Sequence, residues 1–293
     1  METRIANAAF AAVALAAFLF ATSAACAADS VRGTANPDIS EVPTTQADFQ
    51  ELGGEFQDRL PDPPAGMEWK LVWHDEFNGN QIDWSRWEAP DFQRRDGFWS
   101  HKTLSLDGKG ALVMVVVKDP EGNYLDGCLR TKGKYEKAKG FFVTRVKFHK
   151  SQGHWAAFWL MNGCQGRIGN GSADGAEIDI MEKPWLDDKY NVAIHWDGYG
   201  EKHGSVAMAP KLEGAMEGYH TFGLWWSDDA YRFYADGRQT WATTAAGICT
   251  EPLYIKLTDE IGDWAGDIRK AKLPDQMMVD YVRVYDLVPQ NSK

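Results

Sequence analysis

Apolar and polar residues alternate along this chain in short runs, with a period near two rather than 3.6. The segment Met277-Met278-Val279-Asp280-Tyr281-Val282-Arg283-Val284-Tyr285 is rich in β-branched and aromatic side chains, which suit a pleated surface. Ala111 to Val117, Phe141 to Phe148, Trp155 to Met161, Tyr190 to Trp196, Tyr219 to Trp226 and Tyr231 to Ala235 share that character. Turn-forming dipeptides separate them: Asp107-Gly108, Asp126-Gly127, Asn162-Gly163, Asp197-Gly198 and Asp236-Gly237. No stretch carries a long amphipathic helical pattern. The chain therefore reads as all-β, a sandwich or barrel of antiparallel strands rather than alternating strand–helix units.

The ends depart from this pattern. Arg4 precedes an apolar run from Ala8 to Ala21, and Ala25-Cys26-Ala27 fits a small-residue cleavage site, so residues 1–27 are expected to be a secretory signal. The run is shorter than the ~20 residues that a membrane-spanning helix requires, and no later segment resembles a span. Residues 28–67 read as a linker, with Pro37, Pro43, Pro61, Pro63 and Pro64 among polar residues and little apolar periodicity. The folded domain is placed at 68–288, long enough for one large core, with a tail at 289–293. The expected location is secreted or periplasmic, and the expected state a monomer.

Charge and composition narrow the partners. The net charge of −11 and the lack of a basic patch disfavour nucleic acid. Thirteen Trp, ten Tyr and fourteen Phe are available as stacking surfaces. Loss of Cys26 with the signal would leave Cys128, Cys164 and Cys249, which allow at most one intramolecular disulfide. No pair of them has metal-ligand spacing, and none sits where a catalytic thiol would be activated.

The chemistry concentrates in Glu177-Ile178-Asp179-Ile180-Met181-Glu182. Buried carboxylates are costly, so three of them among apolar residues in one strand call for a use. Regular alternation puts Glu177 and Asp179 on one face and Glu182 on the other. One extra residue near Ile180-Met181, a β-bulge, would turn Glu182 back. Two Glu side chains leaning together can then approach the ~5–5.5 Å separation of a retaining glycosidase. Asp179 between them would keep one Glu protonated near neutrality, as a general acid requires. A calcium site is the competing reading, although loops are the usual place for its oxygen ligands.

These residues and several others, in order, resemble glycoside hydrolase family 16. Leu71-Val72-Trp73-His74-Asp75-Glu76-Phe77-Asn78-Gly79 is similar to the family's opening strand. Gly153-His154-Trp155-Ala156-Ala157-Phe158-Trp159-Leu160 resembles its G-x-W-P-A-F-W-L segment, with Ala156 where Pro is common. The acidic run matches E-x-D-x-x-E. Tyr219-His220 through Ala235-Asp236-Gly237, and Val279 to Tyr285, resemble later strands. The resemblance implies a β-jelly-roll sandwich of two antiparallel sheets with a concave substrate cleft. It also implies retaining, endo-acting hydrolysis of a β-linked polysaccharide without a catalytic cofactor. By position, Glu177 would be the nucleophile, Glu182 the acid/base and Asp179 the assisting carboxylate.

The same resemblance places Trp155 and Trp159 near the sugar at the cleavage point and His195 in the cleft. It makes Asp280 a candidate ligand for a structural calcium on the convex side. Trp99 and Trp185, in loop-like segments, are further candidates for substrate contact. The substrate reading is an endo-β-1,3(4)-glucanase. Its alternatives are a hydrolase of β-galactans such as agar, porphyran or carrageenan, or a transglycosylase. A non-catalytic carbohydrate-binding protein on the same sandwich would not need the three acids.

Overall fold

The computed structural model describes residues 58–290; the expected signal sequence, most of the expected linker and the last three residues lie outside them. Strands dominate. The outer sheet is centred on Gly140–Lys147, flanked by His220–Trp226 on one side and the long closing strand Asp275–Pro289 on the other. Tyr231–Ala235 and Arg238–Thr243 extend the first flank. Met67–Asp75 and Leu112–Lys118 each pair with one half of the closing strand.

The inner sheet runs Gly204–Met208, Asn191–Trp196, Glu177–Lys183, His154–Met161, Leu253–Ile261, Tyr124–Arg130, every neighbour antiparallel. Leu112–Lys118 pairs with Tyr124–Arg130, which joins the two sheets into one continuous curved ladder. The expected jelly-roll sandwich is therefore the fold.

Alternation explains what fills the space between the sheets. Phe142, Phe222, Leu224, Trp226 and Val282 meet Phe158, Leu160, Ile178, Ile180, Ile194 and Leu257 in the main core. Each such side chain contributes about 1.5–3 kcal/mol when buried. A one-residue slip of any inner strand would turn its apolar row outward, so register is strongly held. That register fixes which residues face the cleft.

The turn signals divide. Asp236 and Gly237 both have positive φ, 46° and 71°, and join Tyr231–Ala235 to Arg238–Thr243 as the tight hairpin expected. Asn162 caps a short 3-10 turn, its Oδ1 accepting from the Cys164 amide at 2.6 Å. Asp126-Gly127, expected to be a turn, instead lies inside Tyr124–Arg130. A Cβ on Gly127 would come within 2.8 Å of Leu104 and 2.9 Å of Thr103, so glycine serves close packing there. Residues 58–66, expected to be linker, also contribute. Leu60 packs on the outer cluster of Phe141, Val143, Tyr234 and Tyr281, and the Tyr281 hydroxyl donates to Asp58 at 2.6 Å. Cys128, Cys164 and Cys249 are buried free thiols, so no disulfide joins them.

Candidate active site

The strand Glu177–Lys183 carries the irregularity that the acid spacing required. Against Asn191–Trp196 it pairs Glu177 with His195 and Asp179 with Ala193, then skips to Glu182 with Asn191. Against His154–Met161 the shift falls between Asp179 and Met181. Ile178, Ile180 and Met181 all enter the main core. The extra residue therefore returns Glu182 to the face of Glu177 and Asp179.

Around the acids, a network sets their charges. Burial first, then the charge of Asp179, pushes the Glu177 carboxyl up to about 7. The Tyr199 hydroxyl, which donates to Glu177 Oε2, and the charge of His195 oppose that rise. Glu182 is raised well above the usual carboxylate range, again by burial first and Asp179 second, with Glu177 adding to it. The Asn191 amide donates to Glu182 Oε2 at 2.9 Å and opposes the shift. With Asp179 between them, the two Glu interact and titrate as a set.

His195 supplies the positive charge. Burial alone would lower its pKa, but the hydrogen bond and charge of Asp179, with both Glu adding, lift it to about 9. Its Nε2 lies 3.3 Å from Asp179 Oδ2, and its Nδ1 lies 2.9 Å from His203 Nε2. The two imidazoles stack at 5.1 Å. Burial and the His195 charge lower the His203 pKa, so His203 is the neutral partner and accepts through Nε2.

The aromatic residues form a floor and a rim. Trp155 and Trp159 share the cleft side of their strand with Ala157 and Met161, as alternation requires. They are only 4% and 6% exposed, so they are packed floor rather than open platforms. Lys256 Nζ sits 3.5 Å over the Trp159 ring, and burial lowers its pKa to about 8. Trp264, 43% exposed, meets Trp155 and the half-buried Trp185 edge-on at 5.5 and 5.8 Å. Trp99 corrects the expectation of substrate contact. It is 1% exposed, packed against Phe92 with Arg94 and Lys256 over its ring. Its size drives it into the wall, where it supports the cleft from behind.

The sequence model of glycosyl hydrolases family 16 matches residues 78–283, a span that includes every one of these groups. The chain belongs to this family. The family 16 keratan-sulfate endo-1,4-beta-galactosidase of Sphingobacterium multivorum is 30% identical over 282 residues, 90% of this chain and 64% of that protein. Glucan endo-1,3-beta-glucosidase A1 of Niallia circulans is 28% identical over 267 residues, 77% of this chain and 39% of its own. The chain thus spans less than two thirds of the length of either protein. Among solved structures, the laminarinase catalytic domain from Thermotoga maritima MSB8 superposes with a TM-score of 0.64 at 27% identity. That match covers 75% of this chain and 98% of the other.

One expectation from the family resemblance does not fit. Asp280, the candidate calcium ligand, is held by the Arg145 guanidinium at 2.6 Å. A guanidinium on the carboxylate opposes a second cation there. Conversely, Asn191, Tyr199, His203 and Lys256 join the site without having been singled out. Asn191 shares the face of His195 by strand alternation, a signal that the sequence carried. Tyr199 and His203 arrive on the segment after Trp196, and no local pattern marks them.

Proposed function

We propose that this family 16 chain is a retaining endo-glycoside hydrolase of β-linked polysaccharide, first of all an endo-β-1,3(4)-glucanase. The bulge that sets Glu177, Asp179 and Glu182 on one face of the inner sheet carries this reading. Glu182, whose pKa is raised by burial and the charge of Asp179, donates its proton to the leaving glycosidic oxygen. Glu177 attacks the anomeric carbon, and its anion is favoured by the Tyr199 hydroxyl and the His195 imidazolium. Glu182, now ionised, takes a proton from water, which releases the glycosyl-enzyme and regenerates both groups. Asp179 holds His195 in place and keeps the proton on the Glu pair. No cofactor takes part. The protein acts as a monomer, exported by residues 1–27.

A second reading, a β-galactan hydrolase, is favoured by the 90% coverage of this chain in the match to the keratan-sulfate enzyme. A panel of laminarin, lichenan, agarose, porphyran, carrageenan and keratan sulfate, with product sizing and NMR of the first-formed anomer, tests both. Release of mid-length β-anomers from laminarin or lichenan is the expected result. Cleavage confined to the galactans selects the second reading, and an α-anomer or no cleavage at all rejects the mechanism.

A further inference from the structure

A second cluster of acids and histidines lies on the core side of the inner sheet. His149 follows the strand Gly140–Lys147 of the outer sheet, His154 opens His154–Met161, and Asp259 lies in Leu253–Ile261. All three are fully buried. One ligand atom from each lies within 4.8 Å of the others. Their neighbours Trp155, Thr258 and Glu260 face the cleft, so this cluster sits directly beneath its floor.

The hydrogen bonding there is incomplete. His154 Nδ1 lies 2.7 Å from Asp259 Oδ1. Both ring nitrogens of His149 and the Oδ2 of Asp259 have no partner. Buried polar atoms are nearly always satisfied, and a fully buried imidazole without a partner calls for a reason. His149 stacks at 4.2 Å on His154 with its lone pair available.

We propose that His149, His154 and Asp259 bind one zinc ion, a structural tie between the two sheets that is independent of the cleft's chemistry. Two imidazoles and one carboxylate favour zinc over calcium or magnesium, which prefer oxygen alone. Zinc bonds of ~2.0–2.2 Å would draw His149 in from the 3.9 Å that separates its Nδ1 from Asp259 Oδ1 and replace the hydrogen bond between His154 and Asp259. Asp275 completes the pattern. Its Oδ2 lies 3.5 Å from His154 Nε2, which makes no hydrogen bond of its own, on the side where a zinc-bound histidine would turn its remaining N–H to a carboxylate. The amides of Lys150 and Ser151 donate to the same oxygen at 2.9 and 2.6 Å, so the segment carrying His149 is anchored to it.

Because the cluster is sealed, the metal enters during folding. The test is to refold the full chain from denaturant with zinc chloride and, separately, with EDTA, then to measure metal by mass spectrometry and the Tm. Wild type is expected to retain about one zinc per chain and to melt several degrees lower after EDTA refolding. His149→Leu removes a ligand but no hydrogen bond, so it is expected to fold, hold no zinc and melt identically under both conditions. Asp259→Asn is the alternative variant if that one fails to fold. Glu177→Gln, which alters the acid–histidine group of the cleft, is expected to keep the zinc. Metal below about a tenth of an equivalent in wild type, or zinc retained by His149→Leu, overturns the proposal.

Discussion

The two faces of the inner sheet carry the same ingredients and use them differently. In the cleft, His195 lies 3.3 Å from Asp179, with Glu177 and Glu182 beside them. Beneath the floor, His154 lies 2.7 Å from Asp259, with His149 and Asp275 beside them. The cleft has more carboxylates than cations, and burial with the charge of Asp179 raises the pKa of both Glu177 and Glu182. Its polar atoms are paired within the network or open to solvent and sugar. The buried cluster has ring nitrogens without a hydrogen-bond partner. Access to water, more than residue type, separates a site that handles protons from one that holds structure.

Substitutions on the two faces should therefore act on different quantities. Glu177→Gln is expected to reduce turnover by more than ~10⁴-fold while the Tm hardly changes, because the covalent step loses its nucleophile. Residual turnover near that of wild type would remove Glu177 from the mechanism. Asp259→Ala is expected to do the reverse. It leaves His154 facing only Asp275 and should cost about 3–5 kcal/mol of stability in denaturant titration, with KM on the folded fraction unchanged. A large KM change would mean that the two faces are coupled through the strand.

Glu182→Ala should reduce polysaccharide turnover by about 10²–10⁴-fold. Azide should restore rate on a substrate with an activated leaving group, since the anion reaches the glycosyl-enzyme without needing a base. No rescue would argue that Glu182 is not the acid/base. Tyr199→Phe should have the smallest effect, about 10-fold on kcat/KM through the lost bond to a charged carboxylate. Its signature is a pH profile. Activity rises as Glu177 ionises, so the acidic limb is expected near pH 7. The Tyr199 bond favours the charged form, and its loss moves that limb to higher pH. An unmoved limb would show that Tyr199 does not act on the nucleophile.

Much of this arrangement was legible in the chain. Glu177 to Glu182 announced both the acids and the bulge, because the apolar residues between them have to stay in the core. Leu253–Ile261 was harder. Lys256, Asp259 and Glu260 break its apolar alternation, yet all nine residues are buried. A strand that buries charge on both faces looks like a surface segment until its partners are in place. Trp99 shows the converse, an aromatic in a loop-like segment that packing drew into the wall.

By itself the sequence determined the strand periodicity, the sandwich class, the acidic run and its kink, since each depends on residues within a few positions of one another. Tertiary structure alone decided that Tyr199 caps Glu177, that Arg145 occupies Asp280, and that two histidines and an aspartate from three strands or their ends meet in a dry pocket. The reason is physical. Alternation and turn chemistry are local, whereas burial, ionisation and metal-ligating geometry depend on which distant segments the core brings together.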